Sequence, residues 1–374
     1  MAKILGLYVH IPFCRQKCFY CDFFSLKYDT VLADAYIDAL IQDALRFKDK
    51  KIHSIYIGGG TPSVLSLGQI CKFLQALVEI FNFSEVSEFT FELNPESTSK
   101  EKLHILRNFG VTRLSLGLQS VEDKTLTFLG RMHDFNSFCE IYNVIREEEF
   151  NNINIDLIYG FPFQTIKKFE MVLKRVLLFN SEHLSIYPLS VEKGTSFYKD
   201  GIVTNDDIQR DIYDKTVEIL EKNGYIHYEI SNWSKKDKES LHNSNYWCNF
   251  EYIGIGAGAS GYLGRRRYKN IENIKKYIEL SLSLQNERYG DDNSTLLEIE
   301  SEYINDELYK IERIMLGLRL LNKGVDSNCF NNHKHRSVLL KCLKNGTLEL
   351  DNGRIKLSKE SVFIFNQIVS KFMR

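Results

Sequence analysis

The sequence has almost no net charge, no long apolar run and no cysteine framework. Forty-eight Lys+Arg stand against 49 Asp+Glu, leaving a formal charge of −1. A chain so balanced sets up no field that would gather nucleic acid or an anionic membrane surface. The basic triplet Arg265-Arg266-Arg267 reads as a solvated turn. No stretch approaches the about 18 apolar residues of a membrane-spanning helix. The opening residues, Met1 to Val9, lack the long apolar core and small-residue cleavage site of a secretory leader. Internal repeats and low-complexity tracts are absent as well. Of eight cysteines, five (Cys71, Cys139, Cys248, Cys329 and Cys342) are scattered, whereas a secreted disulfide scaffold is short and spreads its cysteines as a framework. These absences argue against a secreted, membrane-spanning or nucleic-acid-binding protein. The expectation is a cytoplasmic protein with reduced thiols, and 44% hydrophobic with 26% charged residues is an ordinary globular composition for one.

What is present begins with alternation. Short runs rich in Ile, Leu, Val, Tyr and Phe at 4–10, 52–57, 88–93, 113–118, 154–158 and 183–188 read as strands. Helical periodicity fills the intervals at 31–47, 67–81, 100–108, 136–149 and 165–179. Repeated strand–helix units give a parallel sheet with crossover helices. Six strands are too few for an eight-stranded barrel, so the α/β expectation is an incomplete, curved (β/α)6 TIM-like barrel, with a flat doubly wound sheet as the alternative. Residues 1–270 are assigned to this body and its extension, which carries a glycine-rich stretch from Ile253 to Gly261. Residues 271–300 read as a connector within a smaller 271–374 domain. That domain has helices near 307–322 and 336–344 and a hairpin around Asp351-Asn352-Gly353, an α+β arrangement like a winged helix.

The remaining three cysteines, Cys14, Cys18 and Cys21, form C-x3-C-x2-C in a loop just past the first strand. With a fourth ligand from His10, Asp22 or farther away they could hold zinc, whose closed sites need four ligands. Iron–sulfur clusters ordinarily take four cysteines. Three on one loop beside a polar cleft suit a 4Fe–4S cluster with one iron left open. Polar residues also gather at the other strand ends: Gly58-Gly59-Gly60-Thr61-Pro62, Glu92-Leu93-Asn94-Pro95, Gly117-Leu118-Gln119-Ser120, and Asp156 leading to Tyr159-Gly160. In parallel α/β folds ligands bind at the carboxyl ends of strands, so these loops define one expected site.

C-x3-C-x2-C followed by Gly-Gly-Gly-Thr-Pro resembles the radical S-adenosylmethionine superfamily. The resemblance implies that the amino and carboxylate groups of S-adenosylmethionine chelate the open iron, and that electron transfer from the cluster releases a 5′-deoxyadenosyl radical. Tyr8-Val-His-Ile-Pro12, Glu92-Leu-Asn-Pro95, Leu114 to Gln119, Asp156 to Gly160 and His242-Asn243-x-x-Tyr246-Trp247 are similar to the oxygen-independent coproporphyrinogen III oxidase group over nearly the whole chain. On that resemblance Cys14, Cys18 and Cys21 ligate the cluster, and Tyr8, Gly59, Gly60, Thr61, Glu92, Gln119, Arg131 and Asp156 contact S-adenosylmethionine. The oxidase branch carries a fourth cysteine two residues past the third, where this chain has Phe23. The His-Asn-x-x-Tyr-Trp motif marks instead a haem chaperone branch, with His242 as candidate haem ligand, since imidazole is a common axial ligand. The function expected from the resemblance is haem binding and transfer to acceptor haemoproteins, respiratory ones among them. Oxidative decarboxylation of coproporphyrinogen III is the alternative. A homodimer is compatible with this reading, and any membrane encounter would come only through the acceptors.

Overall fold

The computed structural model describes residues 4–284 and 296–373, so residues 285–295 of the expected connector lie outside the described residues. Strands β1 (Leu5–Ile11), β2 (Ser54–Gly59), β3 (Glu88–Leu93), β4 (Arg113–Gln119), β5 (Ile153–Tyr159) and β6 (His183–Pro188) lie side by side in chain order. Each neighbouring pair is parallel, so each connection crosses back over the sheet. The crossovers carry helices α1 (Thr30–Leu45), α2 (Leu67–Ile80), α3 (Lys100–Asn108), α4 (Asp123–Leu129), α5 (Phe135–Glu147) and α6 (Ile166–Leu177). The (β/α)6 body is therefore present, with α4 an addition too short to show as periodicity.

Side-chain alternation decides what each face of the sheet does. On β1, Leu7, Val9 and Ile11 are fully buried, and the equivalent positions of the other strands are Ile55 and Ile57, Phe89 and Phe91, Leu114 and Leu116, Ile155 and Leu157, Leu184 and Ile186. All belong to one apolar core with Phe73, Leu74 and Leu77 of α2 and Phe169, Val172 and Leu173 of α6. The opposite positions are polar: Tyr8 and His10, Ser54 and Tyr56, Thr90 and Glu92, Arg113 and Ser115, Asn154 and Asp156, His183 and Ser185. Helix entry is fixed locally. At α2, Ser66 Oγ accepts from the Gln69 amide while the Gln69 side chain accepts from the Ser66 amide, a reciprocal cap.

The sheet runs on past these six strands. On one side, after α7 (Asp206–Lys222), β8 (Asn232–Ser234) adds antiparallel to β6 and β7 (Ile226–Glu229) antiparallel to β8. Helix α8 (Leu241–Trp247) then returns the chain to the other side, where β9 (Glu251–Ile255) pairs parallel with β1. Antiparallel strands β10 (Ser260–Leu263), β11 (Arg266–Asn270) and, after α9 (Ile274–Ser283), β12 (Glu298–Tyr303) follow. The complete order is β12-β11-β10-β9-β1-β2-β3-β4-β5-β6-β8-β7. The glycine-rich stretch is the bend after β9. A Cβ on Gly254 would meet Ser260 O at 1.9 Å, and Gly256 has φ +105°, so neither position tolerates a side chain. Fully buried Asp43 on α1 holds this bend, accepting from Gly256 N at 3.0 Å, Tyr277 Oη at 2.7 Å and Arg46 Nη1 at 2.6 Å.

The C-terminal part has α10 (Asp306–Gly317), α11 (His333–Lys344), α12 (Phe365–Met373) and a three-stranded sheet ordered β13 (Val325–Asp326), β15 (Arg354–Leu357), β14 (Leu348–Asp351). The expected Asn352-Gly353 turn joins the last two, with φ +47° and +76°. This part is pinned to β7: Leu321 N donates to Tyr228 O at 2.9 Å, and Arg319 reaches Glu229 at 3.3 Å while lying 4.1 Å over the Trp247 ring.

Candidate functional site

The carboxyl ends of β1–β6 enclose a cavity of about 520 Å³ lined by Cys14, Cys18, Cys21, Gly59, Gly60, Thr61, Glu92, Gln119, Arg131 and Asp156, among others. Ten of the expected residues thus converge although they come from five strand–loop units. The cysteine loop is held by its neighbours. Thr61 Oγ1 donates to Cys14 Sγ at 3.5 Å and Arg131 Nη1 to Cys18 Sγ at 3.6 Å. Tyr28 N and Leu26 N bond back to Cys14 O and Pro12 O, closing the loop on itself. Burial pushes the Cys21 thiol up to about 11 and that of Cys14 up as well.

The glycines act as spacers. A Cβ on Gly60 would lie 2.8 Å from Phe13 O and 3.0 Å from Cys14 Sγ, and Gly59 has φ +115°. A Cβ on Gly117 would meet Asn94 Oδ1 at 2.8 Å and Arg131 Nη2 at 3.0 Å. Bare backbone therefore faces the space beside the thiols. Glu92 accepts from Tyr56 Oη at 2.6 Å and Gly59 N at 3.2 Å, and burial, with Asp156 nearby, lifts its carboxyl to about 7. Asp156 accepts from Asn154 at 2.8 Å and Ser115 at 3.1 Å, and burial raises it too. Arg131 donates to Asn94 Oδ1 at 2.6 Å and to Gly117 O at 3.0 Å, while its buried Nε has no partner. Gln119 takes a left-handed backbone, φ +68°, at a bulge that ends the β4–β5 pairing. Two buried acids, a guanidinium whose Nε lacks a partner and bare backbone beside three thiols suit a ligand with an ammonium, a carboxylate and hydroxyls, and an iron–sulfur cluster. Tyr56, Asn94 and Tyr187 line the cavity as well. Asn94 belongs to a strand-end run already marked as part of the site; Tyr56 and Tyr187 were not expected, yet the period-2 pattern that placed Glu92 inward also marks them.

Two expected residues lie elsewhere. Tyr8 hydrogen-bonds His10 Nδ1 at 2.8 Å and lines an adjoining cavity of about 730 Å³, while its neighbour Tyr56 borders both cavities and takes up Glu92. His242 is 1% exposed and borders neither cavity. Its amide and that of Leu241 donate to Glu88 at the start of α8, at 3.0 and 2.8 Å, which directs the imidazole into the sheet. There Nδ1 meets Ser54 Oγ at 2.9 Å and Nε2 meets Tyr246 Oη at 2.7 Å. Both ring nitrogens are used, and burial, reinforced by the charge of Arg113, lowers the imidazole to about 3, so it is neutral. The motif residues that do face the adjoining cavity are Asn243, Tyr246 and Trp247, across from Phe23.

A parallel half-barrel with three loop thiols and a glycine cradle at its strand ends is the arrangement of the radical S-adenosylmethionine class, and residues 8–176 match the family model "Radical SAM superfamily". Over its full length the chain is 34% identical to "Heme chaperone HemW" of Lactococcus lactis, covering 98% of that protein. It is also 34% identical to "Heme chaperone HemW" of Bacillus subtilis, over 98% of both chains. Among solved structures it is similar to coproporphyrinogen III oxidase (HemN) from Escherichia coli, with a TM-score of 0.83 and 23% identity over 99% of this chain and 90% of that one, a likeness of fold. The chain belongs to the HemW family. Among the described residues, no helix is long and apolar enough to cross a membrane.

Proposed function

We propose that this protein is a haem chaperone, which binds haem and passes it to acceptor haemoproteins. Identity of 34% along the whole chain to proteins named for that role supports the reading. Phe23, 63% exposed where the oxidase branch has its fourth cysteine, supports it too. In this reading Cys14, Cys18 and Cys21 hold a 4Fe–4S cluster. Arg131 pairs with the carboxylate of S-adenosylmethionine, Glu92 and Asp156 accept from its ammonium and ribose hydroxyls, and Gly59, Gly60, Thr61 and Gln119 complete the cradle. When bound, cluster and S-adenosylmethionine supply a reducing centre and a cleavable sulfonium. The chain's own residues fix the ligand's orientation. His242 and its motif serve the haem. HemN-like decarboxylation is the second reading, favoured by the shared fold.

The test is a paired assay on the reconstituted protein. Stoichiometric haem uptake and its transfer to an apo-haemoprotein, with no turnover of coproporphyrinogen III, is the expected result. Robust formation of protoporphyrinogen IX would overturn it.

A further inference from the structure

The His242-Asn243-x-x-Tyr246 motif does not present histidine to a ligand; it presents tyrosine backed by histidine. Four residues apart on α8, one helical turn, the two side chains meet edge to face at 4.9 Å. With Nδ1 of His242 donating to Ser54 Oγ, Nε2 is left to accept from the Tyr246 hydroxyl. Tyr56 leans on the imidazole at a 34° tilt with centroids 5.4 Å apart, and Tyr252 packs edge-on against Tyr246 at 4.6 Å. The imidazole is thus enclosed, while the half-buried Tyr246 borders the cavity of about 730 Å³.

That cavity suits a flat, largely apolar molecule bearing carboxylates. Its volume falls within the about 300–1,000 Å³ of small-molecule sites. Tyr246, Trp247, Phe250, Tyr252, Phe23 and Leu316 offer aromatic and aliphatic walls, and Lys269 and Arg267 line it beside the acids Asp22, Glu272 and Glu312. Lys269 pairs with Glu272 at 2.8 Å, both partly exposed, so an incoming carboxylate can replace that partner at little cost. Tyrosine ligates ferric haem in catalase, so a phenolate is a competent partner for this metal.

We propose that this second cavity is the haem site and that Tyr246 supplies the iron ligand, with His242 as the positioning residue behind it. This rests on the haem-carrying reading above. As the Tyr246 Oη–Fe(III) bond forms, the O–H bond breaks and its proton leaves to solvent through the cavity; the imidazole stays neutral and changes tautomer, so that Nε2–H donates to the phenolate and Nδ1 accepts from Ser54 Oγ, and the iron stays ferric. Tyr8, paired in the same manner with His10 on the same cavity wall, is the competitor that the experiment must separate.

The experiment adds ferric haem to the full-length protein and reads binding by absorbance and ligation by resonance Raman and electron paramagnetic resonance. The wild type is expected to show phenolate-enhanced bands. Tyr246→Phe, which keeps the ring and its packing, loses them. His242→Gln keeps them but binds haem roughly tenfold more weakly, the worth of one charge-assisted hydrogen bond. Tyr8→Phe keeps them. Equal iron–sulfur absorbance after reconstitution shows that each variant is folded. An imidazole-ligated spectrum that survives Tyr246→Phe and vanishes in His242→Gln overturns the assignment, as does loss of the phenolate bands in Tyr8→Phe alone. Failure of the wild type to take up haem at all overturns the chaperone reading itself.

Discussion

Glu92 shows how a single residue carries both binding and pH dependence. Its carboxyl titrates near 7 because it is buried, with Asp156 adding to the effect, although Tyr56 and Gly59 donate to it. A carboxyl lifted in the folded state favours folding fully below the ordinary carboxylate range and loses that contribution as pH rises through about 7. A cationic ligand beside it reverses the balance by favouring the carboxylate. Calorimetric titration should therefore show S-adenosylmethionine binding more tightly as pH climbs toward 7, by at most roughly tenfold per unit. Glu92→Gln should bind weakly with a flat profile; an unchanged profile would remove Glu92 from the site. Gly60 works at the same scale by what it lacks. Gly60→Ala brings a Cβ against Phe13 O and Cys14 Sγ, so iron and sulfide per chain after reconstitution should drop well below the wild type while the far-ultraviolet circular dichroism stays unchanged.

At the scale of elements, the cysteine loop depends on parts that never touch it. Asp43 on α1 fastens the bend after β9, and β9 lies beside β1, the strand that leads into Cys14. Asp43→Ala removes an acid 2.6 Å from Arg46, which also lies 3.5 Å from Glu298, and frees Gly256 N and Tyr277. Breaking one side of a buried ion pair costs about 3–5 kcal/mol, and the Glu298 contact places this case near the lower end. Urea unfolding monitored by fluorescence should show a lowered midpoint with little change in slope.

At the scale of the molecule, the C-terminal part is joined to the sheet through a charge that has no water to fall back on. Glu229 is fully buried; Arg319 bridges to it and stacks between Trp247 and Phe365. Burial raises the Glu229 carboxyl despite Arg319. Arg319→Met should destabilise by about 3–5 kcal/mol at neutral pH. The loss should shrink as pH falls, because a protonated Glu229 needs no partner. Thermal unfolding at two pH values reads this directly, and an equal loss at both would show that packing on Trp247, rather than charge, joins the two parts. Trp247 also borders the second cavity, so the same residue links the C-terminal part to the proposed haem site.

Periodicity and spacing determined the (β/α)6 body and the meeting of the strand-end loops at one cavity, because both follow from local rules, while individual contact residues there, Arg131 above all, came from the family resemblance. Period 2 fixes which strand residues face inward, and parallel strands bring their carboxyl ends to one edge. Only the tertiary structure decided which side chains stand free. Tyr8 lies on an inward position like Glu92, yet its neighbour Tyr56 takes the place beside the acid. His242 belongs to a motif whose spacing was plain. Its burial depends on Glu88, 154 residues away, which holds the helix start, and on Ser54, 188 residues away, which takes Nδ1. Contacts of that range leave no periodic trace in a single sequence, so a motif can announce that histidine matters while the fold encloses it and leaves the half-buried tyrosine at the cavity wall.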